Sequence, residues 1–326
     1  MKSALSVLLI ALALVACGES SKPASFKVAP DPVAAASAPA GKVLKIALVM
    51  KTLTNPFFIE MEKGARRAEA EMHVNLQVRT AAQETSIEQQ IQIVNDLIAD
   101  HVDAIVIAPG DSSSLIPVLQ KASAAGIKLV NIDNRLTPQL VQEAGLAPLP
   151  FISVDNDKAA YASAHFIAEG ARPGTQAAIL EGIRSADNAQ QRMAGARRAF
   201  ADVKGITLVA SESANWKIDE GYAVTKKIFQ TKPQVKLLFA ANDMMALGAL
   251  KYLHDSKRTA VKVAGYDALE EAVVAVKAGQ LTVTVNQQAG EQGFQGVALA
   301  VRLLRGETVP DVMLIDTRLV TRESLN

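Results

Sequence analysis

Short β-branched and apolar runs alternate with helical patterns along most of this chain, and that βα rhythm restricts the fold more than any other feature of the sequence. Strands separated by helical segments imply a parallel sheet with helices on both faces. The first series of runs is Lys45 to Met50, Asn75 to Arg79, Asp103 to Ala108, Lys128 to Ile132 and Phe151 to Val154. A second series follows at Gln176 to Leu180, Ile206 to Ser211, Val235 to Ala240, Val261 to Gly265 and Leu281 to Val285. About ten strands is as many as a strongly twisted open sheet holds, so two α/β lobes with a sheet each are expected. Lobes joined in this way leave a cleft faced by strand carboxyl ends and helix amino ends, and a hinge at the joining strands lets it close.

The strand Lys45 to Met50 runs directly into Thr54-Asn55-Pro56-Phe57-Phe58, which reads as the mouth of that cleft. Asn55 can cap the following helix through its side-chain oxygen, and Pro56 suits the first helical position, where no N–H is needed. Phe57 and Phe58 then sit on the first turn, either facing the cleft or joining the core. The helix after the second strand carries Ser86 and Gln89 in capping-box spacing, with Ile87, Ile91, Val94 and Ile98 as one apolar stripe that packs on the sheet.

Polar and aromatic residues recur at strand ends in unit after unit: Asp133-Asn134-Arg135, Asn215-Trp216, Asn242-Asp243, Asp267 and Gln287, with Gln190 and Arg192 at a helix entry. Carboxylates, amides and guanidinium groups supply directional donors and acceptors, while aromatic faces cover apolar C–H surface. The set suits a neutral, hydroxyl-rich molecule. Individually, Asn242 and Asp267 also fit helix caps, Asp243 fits a cap better than a ligand contact, Trp216 fits a packing anchor and Arg135 fits a solvated surface. Independent caps would not require aromatic and amide side chains at one edge, and their joint placement favours a binding site.

The amino terminus reads Met1-Lys2, an apolar run from Ala4 to Val15, and Leu14-Val15-Ala16-Cys17, the pattern of a secretory signal ending in a lipobox. Residues 1–16 are expected to be removed, leaving a lipid on Cys17, and Gly18 in place of Asp favours the outer membrane. Residues 17–42 are rich in Ala, Pro and Ser and read as a tether. Cys17 is the only cysteine, which excludes an internal disulfide. A net charge of +1 gives no basis for capturing nucleic acid. The four histidines lie in or beside predicted helices without metal-ligand or nucleophile partners, and phosphate-loop and dinucleotide motifs are absent from the sequence. No cofactor or metal is expected. An enzyme is unsupported; a glycoside hydrolase using Asp133 and Asp267 as paired carboxylates is the alternative to exclude.

At Thr52-Leu53-Thr54-Asn55-Pro56-Phe57-Phe58, at Asn242-Asp243-Met244-Met245-Ala246-Leu247-Gly248-Ala249-Leu250 and at Gly265-Tyr266-Asp267, the chain resembles the ribose-binding branch of the periplasmic sugar-binding proteins of ABC transporters, which share a fold with the ligand domains of LacI-type repressors. The resemblance implies an α/β type I periplasmic binding protein: two Rossmann-like lobes with parallel sheets and a three-segment hinge near Ser153, Gln287 and Thr317. The lobes are then residues 43–153 plus 288–317 and 154–287 plus 318–326. It implies Phe57, Phe58 and Trp216 as ring-stacking aromatics, and Asn55, Asp133, Asn242, Asp267 and Gln287 as polar contacts. The family's arginine after the strand-end Asp is Asn134 here, with Arg135 one place later, and its arginine at the next lobe's helix is Gln190. Those departures point away from ribose toward a related pentose, hexose, deoxysugar or polyol. The expected function is a monomeric, lipid-anchored solute receptor on the periplasmic side of a bacterial membrane, delivering its ligand to an ABC permease in the inner membrane; the alternative partner is a sensor kinase or chemoreceptor. An intracellular repressor would need a basic helix-turn-helix before Lys45, where the signal and tether stand.

Overall fold

The computed structural model describes residues 42–325. The signal, Cys17 and the tether up to residue 41 lie outside the described residues. Strand and helix alternate from β1 (Lys45–Met50) through α1 (Pro56–Met72), β2 (Asn75–Thr80), α2 (Ile87–Ala99), β3 (Ala104–Ile107), α3 (Ile116–Ala124), β4 (Lys128–Ile132) and α4 (Pro138–Glu143) to β5 (Phe151–Ser153). The rhythm continues with α5 (Asn156–Ala168), β6 (Thr175–Glu181), α6 (Asp187–Asp202), β7 (Ile206–Ser213), α7 (Ile218–Thr231), β8 (Val235–Ala240), α8 (Asp243–Asp255), β9 (Lys262–Ala264), α9 (Glu270–Lys277) and β10 (Val283–Asn286). It closes with α10 (Ala289–Leu304), β11 (Val312–Leu314) and β12 (Arg318–Thr321).

These strands form two six-stranded sheets, in the orders β11-β5-β4-β3-β1-β2 and β12-β10-β9-β8-β6-β7. The expectation of two mostly parallel sheets is met. β12 is antiparallel to β10, and β11 and β12, two short strands absent from the sequence-based scheme, each close one edge. The two orders are equivalent strand for strand. In both, the strand order reverses beside the first strand, β1 next to β3 and β6 next to β8, which places a crevice at the carboxyl ends of those strands.

Both faces of the central strands are covered. Ile46, Leu48 and Met50 of β1 belong to one buried apolar cluster, and Ala47 and Val49 to another packed under α2 and α3. This period of two with apolar residues on each side is what a doubly covered parallel strand requires. α1 and α10 lie so close that a Cβ on Gly64 would fall 1.7 Å from the Gly290 carbonyl oxygen. Only glycine permits that approach.

The chain leaves the first sheet after β5, returns after β10 and crosses again between β11 and β12. Each crossing starts at a strand end, so hinge and crevice are built from neighbouring residues. One local expectation fails: Ser86 makes no side-chain cap to α2. Gln89 Oε1 instead accepts from Ala82 N at 2.8 Å, because the turn before the helix is tight enough to bring that amide within reach.

Candidate functional site

Asn55 and Asn242 are helix caps in the form expected from sequence. Asn55 Oδ1 accepts from Phe57 N at 3.1 Å and Asn242 Oδ1 accepts from Met245 N at 2.9 Å. Capping uses only the oxygen. The amide of Asn55 donates to Glu84 Oε1 at 2.9 Å and that of Asn242 to the Trp216 carbonyl at 3.2 Å, so each cap also fixes a second residue at the crevice.

In the first lobe the chain leaves β4 with Asp133 in the left-handed region at φ 63°, which aims its carboxylate into the crevice. Lys51, directly after β1, places Nζ 2.7 Å from Asp133 Oδ2, and both side chains are almost wholly buried. Nζ also lies 5.6 Å from the centroid of Phe58, whose ring meets Phe57 edge on at 5.0 Å. Both phenylalanines are buried and continuous with the apolar core, with Phe58 reaching the charged group.

In the second lobe Arg192 is the organising side chain. Nε donates to Asn156 Oδ1 at 2.8 Å, Nη1 to the Ala241 carbonyl at 2.9 Å and Nη2 to Gln287 Oε1 at 3.3 Å. Nη1 is 3.6 Å from Asp267 Oδ1, which also accepts from Gln287 Nε2 at 2.6 Å. The guanidinium stacks 3.8 Å from the Tyr266 ring and 5.5 Å from that of Trp216. Burial pushes the Asp267 carboxyl well above its ordinary range, opposed by the charge of Arg192. Trp216, at φ 67°, lies flat against Gly182, where an added Cβ would fall 2.0 Å from the ring. Asn156 and Gln287 stand at two of the three crossings, so the hinge and the charged group share hydrogen bonds.

The lobes touch across the crevice. Ser112 N donates to the Ser185 carbonyl at 3.1 Å, Asp187 N donates to Ser112 Oγ at 2.9 Å and Asn188 N donates to Asn134 Oδ1 at 3.3 Å. Asn188 Nδ2 donates to Asp133 Oδ1 at 3.4 Å. The resulting group holds Lys51, Asp133, Arg192 and Asp267 with aromatic faces beside them. Among the described residues, buried side-chain atoms without a hydrogen-bond partner include Asn188 Oδ1 and Trp216 Nε1, whereas Asp133 Oδ2 has its ion pair with Lys51. Leaving such atoms unpaired is costly in a dry site. Both unpartnered atoms belong to this group.

The structure brings Asn55, Phe58, Asp133, Trp216, Asn242, Asp267 and Gln287 to the crevice, with Phe57 edge on against Phe58. It does not bring Arg135 or Gln190 there. Arg135 turns to the Phe151 ring, 5.4 Å from its centroid, with its charge lowering the burial-raised carboxyl of Asp187. Gln190 is exposed and donates to the Arg184 carbonyl at 2.8 Å. On α6, Asn188 and Arg192 are four residues apart and share the crevice face, whereas Gln190 between them points away. Asp243 is not the cap that its place in the sequence suggested, since Asn242 caps α8; it is a buried structural acceptor at the first position of that helix, serving Tyr266 N and Leu269 N, both at 2.9 Å.

Lys51, Glu84 and Asn188 were not picked out by sequence. Lys51 had a usable signal, since a lysine directly after a wholly apolar strand stands at a crevice end. Glu84 and Asn188 had none. No group of three or more His, Cys, Asp or Glu among the described residues is arranged to hold a metal, and no described helix is long and apolar enough to cross a membrane.

The periplasmic binding protein domain family matches residues 46–308. The chain is 39% identical over 304 residues to the D-ribose/D-allose-binding protein of Pseudomonas aeruginosa, covering 92% of each. It is 32% identical over 285 residues to the D-allose-binding periplasmic protein of Escherichia coli, covering 85% of this chain and 91% of that one. The crystal structure of an ABC transporter periplasmic solute-binding protein from Actinobacillus succinogenes with bound D-allose matches with a TM-score of 0.81 at 38% identity, over 86% of this chain and 98% of that one. With its two mostly parallel sheets and the crevice between their carboxyl ends, the chain belongs to the type I periplasmic binding proteins, a family of solute-binding proteins and not of enzymes.

Proposed function

We propose that this protein captures a monosaccharide or a closely related polyol between its lobes and presents it to an ABC permease, held at the periplasmic face of a bacterial membrane by a lipid on Cys17. The observation that carries the sugar assignment is the pair of buried polar atoms without partners at the lobe junction, one acceptor (Asn188 Oδ1) and one donor (Trp216 Nε1), beside aromatic rings and the buried Lys51–Asp133 and Arg192–Asp267 charges. A hydroxyl is donor and acceptor at once and satisfies either kind. Relatives named for D-ribose and D-allose, and a neighbour holding D-allose, support the same ligand class. Asn55, Phe57, Phe58, Asp133, Trp216, Asn242, Asp267 and Gln287 are the proposed ligand residues, joined by Lys51, Arg192 and Asn188. The pattern Leu14-Val15-Ala16-Cys17 supports the anchor.

Thermal unfolding against D-allose, D-ribose, deoxysugars, other hexoses and polyols tests the ligand class. A ligand bound only by the folded state at a hundredfold excess over Kd adds about 2.7 kcal/mol, and one sugar is expected to raise Tm by several degrees. A flat response across the panel would remove the sugar assignment. Metabolic labelling of the full chain with a fatty acid is expected to mark wild type and not Cys17→Ser; wild type without label would refute anchoring through this residue.

A further inference from the structure

Glu84 stands in the turn between β2 and α2, beside the carboxyl end of β1, the parallel neighbour of β2. That turn is tied down. Thr52 Oγ1 donates to the Ala82 carbonyl at 3.1 Å, and Ser86 N donates to the Gln83 carbonyl at 3.0 Å. On its other side the Glu84 carbonyl presses on Gly110, where an added Cβ would come within 2.8 Å of it. A side chain mounted on so constrained a backbone has little freedom, and Glu84 is only 9% exposed. Its Oε1 accepts from Asn55 Nδ2 at 2.9 Å, while Oε2 has no hydrogen-bond partner among the described residues. Burial raises its carboxyl, and the charges that act on it come from both lobes: Lys51 and Arg192 favour ionisation while Asp133 opposes it. Glu84 in turn raises Asp267 across the crevice. The carboxyl thus sits inside the charged group, with one oxygen committed and one free.

We propose that Glu84 is a further ligand-binding residue of this site: Oε2 accepts a hydrogen bond from one hydroxyl of the bound sugar, so that Glu84 helps to set which hydroxyl pattern is recognised. This rests on the sugar assignment above. The competing role, support of Asn55, uses Oε1 alone. Glutamine fills that role equally well, because its carbonyl oxygen can accept from Asn55 while its NH2 replaces Oε2 and turns the free acceptor into a donor. Glu84→Gln therefore separates the two roles.

Isothermal titration with D-allose, or with whichever sugar of the panel wild type binds most tightly, and with its monodeoxy derivatives provides the readout. Glu84→Gln is expected to weaken the parent sugar by about tenfold or more, the scale of a lost hydrogen bond to a charged group. For one monodeoxy derivative the penalty seen in wild type should disappear. Unchanged affinity with an unchanged deoxy profile overturns the role of Glu84 and leaves the sugar assignment intact. If the glutamine variant does not fold, the comparison passes to Glu84→Asp, which withdraws the oxygens by one methylene and should lose discrimination at that same hydroxyl. Uniform weakening toward every derivative would reduce Glu84 to support of Asn55. Wild type that binds no sugar of the panel overturns both proposals together.

Discussion

Arg192→Met is expected to lower the unfolding free energy by about 3 kcal/mol or more and to abolish measurable sugar binding. Arg192 is 3% exposed and holds Asn156, the Ala241 carbonyl, Gln287 and Asp267 together. Removing one partner of a buried ion pair leaves the other charge without compensation, at a cost of about 3 to 5 kcal/mol. Methionine keeps most of the volume and the contact with Tyr266, so the loss reports on charge and hydrogen bonding more than on a cavity. Asp267→Asn added to Arg192→Met removes the stranded carboxylate and should recover part of the loss. Urea unfolding of the four proteins in that cycle measures it, and a double variant no more stable than Arg192→Met would show that the pair does not carry the energy. The single variant should also regain stability on acidification. Burial already holds the folded-state pKa of Asp267 above its unfolded value, with Arg192 as the main opposing charge. Without Arg192 the folded form binds its proton more tightly still, and the contribution of a group with a raised pKa is lost as pH rises through that pKa.

Asp243 should give the protein a stability that declines between about pH 4 and pH 7. Burial pushes its carboxyl up to about 7, against hydrogen bonds from Thr284, Leu269 and Tyr266 that favour the ionised form. An unfolded aspartate titrates near about 4. Between those values the folded chain keeps a proton that the unfolded chain has released, so the stabilisation is complete below the unfolded pKa and is lost as pH rises through the folded one. Asp243→Asn cannot titrate and should flatten that part of the stability profile relative to wild type. It should also cost about 1 to 3 kcal/mol, because one amide oxygen cannot serve both Tyr266 N and Leu269 N, and an orphaned buried donor carries a penalty of that size. Asp243 faces the protein interior, so sugar affinity per folded molecule should be unchanged. Parallel profiles for variant and wild type would place the titration elsewhere, and a fall in affinity would make Asp243 part of the site.

Much of the architecture was legible because it depends on local pattern. β1, β4 and β8 coincide with the apolar runs Lys45 to Met50, Lys128 to Ile132 and Val235 to Ala240, since a strand buried on both faces must be apolar along its length. β11 and β12 were not drawn, because a three- and a four-residue edge strand with half-exposed side chains carry too little pattern to register. Asn55 and Asn242 were legible as caps for a similar reason: the groups they satisfy are two or three residues away.

The composition of the site was legible only where a residue's place on a strand end settles its direction. Asp133, Asp267 and Gln287 follow β4, β9 and β10 and arrive at the crevice with the strands that carry them. Arg135 and Gln190 are close to the right places in the chain, but Arg135 packs against the Phe151 ring and Gln190 stands half a helical turn from the crevice face of α6. Glu84 comes from a turn with no signature, and its partners outside that turn stand 26 positions or more from it in the chain, Gly110 and Asn55 among them. The sequence by itself determined the βα order, the two sheets, the caps and the strand ends that face the crevice, because each follows from hydrophobic period and from groups within a few residues. Which arginine enters the site, which carboxylates meet there and which atoms remain free for a ligand were decided by tertiary structure, because they depend on how helix faces and turns from two lobes are brought together over long separations in the chain.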